Sequence, residues 1–309
     1  MQKSFFWCFM GLLHIMACAQ NGNDDDTTQP PDNGAPFSSP EVAGLIQTTL
    51  IQEASGLVTS RAHTDVLWTH NDSGGEPKIY MISTTGESKG SYFLEGAENR
   101  DWEDIAMGPG PDPDVNYIYV GEIGDNNARY ETKKIFRFPE PTSLPGQNEV
   151  DTIHNVEMIQ FTYPDGKRDA ETLLVDPFTN DIFVISKRET SVHIYRAAYP
   201  QDTDKVIALE MLGQLPLGST DVGDQIVGGD ISKDGKEVLL KSYTKVYYWQ
   251  RDDGNISIFE LLKSSPVELP YVPEPQGESI TFAMDGSGYY TLSEKSFASQ
   301  QQLFFYKRK

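Results

Sequence analysis

Five pentapeptides in this chain, each just ahead of an apolar strand-like run, stack into columns: 53-EASGL-57, 101-DWEDI-105, 169-DAETL-173, 227-VGGDI-231 and 276-QGESI-280. The fifth column reads Leu, Ile, Leu, Ile, Ile. The third reads Ser55, Glu103, Glu171, Gly229, Glu278, and the fourth Gly56, Asp104, Thr172, Asp230, Ser279. Successive copies begin roughly 48 to 68 residues apart. Each is followed by two or three further period-2 segments, such as 66-VLWTH-70, 117-YIYVGEI-123, 182-IFVISK-187, 238-VLLKSY-243 and 289-YYTLSE-294. Turn dipeptides Asp165-Gly166, Asp234-Gly235, Asp253-Gly254 and Asp285-Gly286 separate them. No long helical period is present, so the chain is all-β. A repeat of this length, carrying about four strands, is the pattern of a β-propeller.

The strand census predicts five four-stranded blades, with six as the alternative. Blade one takes 54–96 and blade two 101–163, with 157-EMIQFTY-163 as its outer strand. Blade three takes 169–213 and blade four 229–262. Blade five has 278-ESITF-282, 289-YYTLS-293 and 303-LFFYK-307, then the chain ends one strand short. The strand-like segment 42-VAGLIQTTLI-51 is expected to complete it and to close the ring, which removes an open edge. A sixth blade would have to lie near 212–228, which is too short.

The residues ahead of the propeller read differently. Lys3 and the apolar run 5-FFWCFMGLLHIMA-17 have the form of an export signal, too short to span as a mature helix. The run ends in 15-IMAC-18, which resembles a bacterial lipobox, with Cys18 as the lipidated first mature residue; plain secretion is the fallback. Residues 18–40 are polar and Pro/Gly-rich and read as a tether, with Asp24-Asp25-Asp26 either a sorting signal or a solvated charge run. The expected organisation is therefore 1–17 signal, 18–40 lipidated linker and 41–309 one propeller, exported and anchored at the cell envelope. Cys8 and Cys18 are the only cysteines, so the folded part has no disulfide and no thiolate ligand.

The chain carries 25 basic and 46 acidic residues, a net charge of −21. That balance repels phosphate backbones and argues against nucleic acid as a partner; it suits cations and neutral ligands, and it also keeps a protein soluble. In a propeller the first strand of each blade lines the central channel, so one column converges at one mouth. Asp101, Glu103, Asp104, Asp169, Glu171, Asp230 and Glu278 are expected there. Like charges this close need a bound cation such as Ca²⁺, paired arginines or shared protons. Arg100 and Arg168, directly ahead of the acidic columns, are candidates for such pairing, or for ion pairs between blades. The loops 70-HNDSGG-75 and 121-GEIGDNNAR-129 follow second strands and return to the same level. They bring His70, Asn71, Asp72, Asp125 and Asn126, oxygen-rich turn residues that suit a hard cation or a local turn. The equivalent positions later in the chain are Lys187 and Arg188, Lys241 or Tyr243, and Glu294 with Lys295, which adds a cationic sector. G-x-S-x-G, H-E-x-x-H and phosphate-cradling glycine loops are absent, and the histidines are scattered.

The runs 54-ASGL-57, 68-WTHNDSG-74, 101-DWEDIA-106, 124-GDN-126, 169-DAETLL-174 and 276-QGESIT-281 resemble a family of secreted bacterial propeller proteins. The likeness covers nearly all of the chain after about residue 45. It implies a propeller outside the cytoplasm and little about activity. A looser likeness is to calcium-dependent propeller phytases with their esterase-like relatives, and to five-bladed arabinanase-type glycoside hydrolases, whose own motifs are not evident here. Two function classes follow. The first is a lipid-anchored, monomeric binding propeller whose mouth holds Ca²⁺ and takes a small-molecule, glycan or protein ligand. The second is a hydrolase for a glycan or phosphoester, with Glu103, Glu171 or Glu278 as acid and base.

Overall fold

The computed structural model describes residues 34–295 and 300–309. They form five sheets arranged as a ring of blades, each built outward from an inner strand. The inner strands are Ala54–Thr59, Trp102–Pro109, Ala170–Val175, Ile226–Ile231 and Ser279–Phe282. Each lies against the inner strands of the blades before and after it, and the first meets the last. They are buried almost throughout, so apart from Glu103, Asp104, Glu171 and Asp230 they carry small, hydroxyl-bearing and apolar residues with no clean alternation. A hydrophobic cluster fills each gap between blades. Between blades one and two it holds Trp68, Trp102 and Phe136; between two and three, Tyr119, Phe161 and Tyr195.

The ring closes as the sequence predicts, with a shorter strand. Glu41–Leu45 runs antiparallel to Gln302–Lys307 and forms the outer strand of blade five. Residues 46–53 then cross to blade one outside any strand, with Ile51 buried on the way. Ahead of the strand, part of the expected tether belongs to the fold. Phe37 bridges Arg308 and is fully buried, edge-on to Tyr248 and Tyr289 at 5.6 and 5.1 Å. The propeller therefore begins before residue 41. The signal, lipobox and first part of the tether lie outside the described residues.

Blade four departs from the expected 229–262. Its inner strand starts at Ile226 and its outer strand is Val267–Leu269. The apolar run before that strand is a one-turn helix, Ile258–Leu262, where no helix was expected. Ser257 caps it by accepting from the Glu260 amide at 3.2 Å, and Ile258, Leu261 and Leu262 face the core. Two blades gain a fifth strand from the blade that follows. Val150–Ile153, in the long connection of blade two, pairs in parallel with Ser88–Leu94 of blade one. Ile207–Ala208 pairs in parallel with Glu157–Thr162 of blade two. Both cover an edge that would otherwise be bare.

Candidate functional site at the channel mouth

At the start of four inner strands the pairing register slips by one residue: between Ala54 and Gly56, Trp102 and Asp104, Ala170 and Thr172, and Ile226 and Gly228. The extra residue of each bulge is Ser55, Glu103, Glu171 and Val227. Glu278 holds the corresponding place one residue ahead of the fifth inner strand. A bulge bends its strand and re-aims a side chain, and here it turns the column toward the channel mouth. Blade four is two residues out of the phase in which the sequence columns align it. Val227, not Gly229, shares the level of Glu103, and Asp230 lies deeper.

A second level comes from the residues just past the second strands. The amides of Asp72, Gly124, Lys187 and Glu294 donate to the carbonyls of Glu53, Asp101, Asp169 and Gln276, at 2.8 to 3.2 Å. Lys187 and Glu294 therefore stand beside the bulge carboxylates, and Tyr243 fills the place in blade four. Gly124 is the member without a side chain. A Cβ there would lie 2.1 Å from Glu103 Oε1 and 2.6 Å from Asp101 Oδ2, so glycine is what leaves room for both carboxylates.

The residues of the mouth connect across blades. Ser55 donates to the Glu103 carbonyl at 2.8 Å and to Glu278 Oε2 at 3.2 Å. Tyr243 donates to Glu278 Oε1 at 2.6 Å and accepts from Lys187 Nζ at 3.0 Å, and the Lys187 ammonium pairs with Glu171. Arg188 pairs with Asp169 and reaches Asn126, while Asp169 Oδ1 accepts from the Asp125 amide at 2.7 Å. Three carboxylate oxygens of Asp72, Asp101 and Glu103 lie within 4.8 Å of one another, and so do three of Glu103, Asp169 and Glu171. Glu103 belongs to both groups. It is 5% exposed, and among the described residues no group donates to its carboxylate. Burial first, and then repulsion from Glu171, Asp72, Glu278 and Asp101, hold it well above the usual carboxylate range. Burial raises Glu171 likewise, against the pull of Lys187. Asp72 is pushed up to about 7, by burial and then by Glu278, Asp101 and Glu294. Glu294 also reaches about 7, by burial and then Glu278. Burial also raises Asp101.

Other candidate residues are engaged elsewhere. Asp104 accepts from the Ile105 and Leu173 amides, each at 2.9 Å; Asp230 accepts from Ile231 and Phe282 at 2.8 Å and from Thr281 at 2.9 Å. Both satisfy free amides on the channel edge of an inner strand, a structural task. Asp125 organises its own loop: it pairs with buried Lys133 at 2.9 Å and accepts from the Arg129 and Tyr130 amides at 2.8 Å. His70 is fully buried, edge-on to Trp102 at 5.7 Å, with Nδ1 3.0 Å from the Asn71 carbonyl oxygen; burial lowers its pKa to about 4. Arg100 lies over the Tyr130 ring at 4.0 Å and 3.6 Å from Glu122. Arg168 pairs with Asp165 at 2.7 Å and Glu189 at 2.8 Å. Neither arginine makes the ion pair between blades that its position suggested. Each sits directly before the acidic column and takes its ion pairs outside it.

The chain is a five-bladed β-propeller with acidic groups at its centre. A scan against protein-family models and a search of curated proteins both give no match. Among solved structures it is similar to a luciferin-regenerating enzyme, at 12% identity and a TM-score of 0.45, over 87% of this chain and 95% of that one. It is also similar to the WD40 repeats of RRP9, at 10% identity and a TM-score of 0.41, over 88% of this chain and all of that one. Two features of the mouth had no sequence signal read for them: the space that Gly124 leaves, and Ser55 as a donor. The first was available in 124-GDN-126, where a glycine precedes two oxygen-bearing residues after a strand.

Proposed function

We propose that this is an exported, lipid-anchored binding propeller whose acidic mouth holds a hard divalent cation, Ca²⁺ in the first instance, and through it an extracytoplasmic ligand. The observation that carries the reading is Glu103: a buried carboxylate with no donor, within 4.8 Å of the carboxylate oxygens of Asp72 and Asp101. A buried charge needs a partner, and its neighbours here repel it. All-oxygen ligands suit Ca²⁺, whose oxygens at about 2.3–2.6 Å from the ion lie at most about 5 Å apart. Calorimetric titration of the chelator-stripped protein with CaCl₂ tests this. We expect binding that Glu103→Gln weakens at least tenfold. Absence of Ca²⁺ binding in the wild type removes the reading. Anchoring rests on 15-IMAC-18 alone: Cys18→Ser should move the protein from the membrane to the soluble fraction, and a mature wild type without lipid by mass spectrometry removes that part.

The hydrolase reading keeps one specific observation. Glu103 and Glu171 have oxygens within 4.8 Å, closer than the two carboxylates of an inverting glycosidase, which stand about 6.5–9.5 Å apart. A glycosidase built on this pair would retain configuration. Turnover of a glycan or phosphoester that survives chelation and disappears in Glu171→Gln would favour it over the binding propeller.

A further inference from the structure

The carboxylates of the mouth fall into two overlapping groups. Glu103 is shared by two carboxylate groups that otherwise have no member in common, Asp72 with Asp101 on one side and Asp169 with Glu171 on the other. Two buried groups are left without partners there. One is Asp72 Oδ1, in the group that Asp72, Asp101 and Glu103 form. The other is Glu171 Oε2; that residue is 4% exposed, and Lys187 engages its other oxygen. One ion beside Asp72, Asp101 and Glu103 would satisfy Asp72 Oδ1 and leave Glu171 Oε2 as it is.

Charge leads to the same count. Asp72, Asp101, Glu103, Glu278 and Glu294 join the Asp169–Glu171 pair around the mouth, seven carboxylates in all. Two cations touch them, Lys187 on Glu171 and Arg188 on Asp169. Arg100 and Lys133 stand behind, with partners of their own in Glu122 and Asp125. With all seven ionised, as cation ligation requires, five negative charges are left over. One divalent ion offsets two of them and two ions offset four. On the Asp101 side of Glu103, Gly124 puts no Cβ against either carboxylate.

We infer that the mouth is a two-ion site for hard divalent cations in which the Glu103 carboxylate is the shared ligand. One position lies with Asp72 and Asp101, the other with Asp169 and Glu171. This rests on the cation reading of the same mouth. A shared carboxylate couples the positions, since each ion lowers the negative potential felt by the other while both hold Glu103 in place. Each position needs about six to eight oxygens, of which three residues supply only part, so each ion keeps sites for water or for oxygens of a ligand.

The test is a count of bound Ca²⁺ on the full chelator-stripped chain, by calorimetry and by native mass spectrometry. We expect two ions in the wild type, one in Asp72→Asn, one in Glu171→Gln, and at least a tenfold loss of affinity at both positions in Glu103→Gln. A single ion in the wild type overturns the inference and leaves the cation reading standing. No ion overturns both. Two ions retained at wild-type affinity in Glu103→Gln overturn the shared role. The wild-type count needs no variant, so it decides the second position even if a substitution prevents folding.

Discussion

At the scale of single residues, the mouth separates carboxylates by what donates to them. Asp104 and Asp230 are as buried as Glu103, yet each accepts from two backbone amides. Glu103 has none. Perturbed acids of this kind give stability a defined pH dependence. Asp72 and Glu294 are raised to about 7, mainly by burial, and Glu103 and Glu171 are raised too. The unfolded chain releases the Asp72 and Glu294 protons near pH 4, about three units earlier. Between those limits the folded, metal-free protein binds more protons than the unfolded one, so its stability falls as pH rises through that window. Ca²⁺ needs the deprotonated oxygens, so its affinity rises over the same range. Thermal melts in chelator from pH 5 to 8 should show a falling Tm, and the gap between chelator and Ca²⁺ should widen. A Tm that is flat in chelator, with a pH-independent gap, would mean that these carboxylates are ordinary.

At the scale of elements, closure depends on one buried ring more than on the closing strand's side chains. Val42 is about half exposed, whereas Phe37 is enclosed between Tyr248 and Tyr289, with Arg308 over its ring at 4.6 Å. Removing a fully buried Phe typically costs about 3–5 kcal/mol, and a half-exposed surface change about 0.5 kcal/mol or less. Phe37→Ala should therefore lower stability in chemical denaturation by several kcal/mol, with Val42→Ala near wild type. Similar midpoints for the two would show that the segment before residue 41 contributes nothing to closure. The bulges are the other decisive elements: without the extra residue, Glu103 and Glu171 would follow the strand's alternation instead of turning into the mouth.

For the whole molecule, the mouth is where all five blades meet. The hydrogen-bonded path from Glu171 through Lys187, Tyr243, Glu278 and Ser55 to the Glu103 carbonyl visits every blade. An ion bound there stabilises the closed ring and has no comparable site in the unfolded chain. Saturation at a hundredfold excess over the dissociation constant should add about 2.7 kcal/mol by mass action. Urea unfolding with and without Ca²⁺ measures it. An equal gain in Glu103→Gln would place the responsible ion elsewhere on this strongly acidic surface.

The architecture was legible because repetition and period survive in one dimension. Five recurring apolar ends, turn dipeptides between the period-2 segments and a last blade one strand short are enough to specify blade number and closure. Convergence of Glu103, Glu171 and Glu278 follows from the same repeat. What the order of residues could not show was phase and partnership. Blade four is two residues out of phase with the aligned columns, with no signature in residue type, so Val227 was passed over for Gly229 and Asp230 was placed too high. Nor does composition distinguish Asp104, satisfied by Leu173 from the next blade, from Glu103 beside it, satisfied by nothing among the described residues. Those partners lie dozens of residues away and meet only when the ring closes. Tertiary structure alone therefore decided which carboxylates are spent on the backbone and which face one another at the mouth.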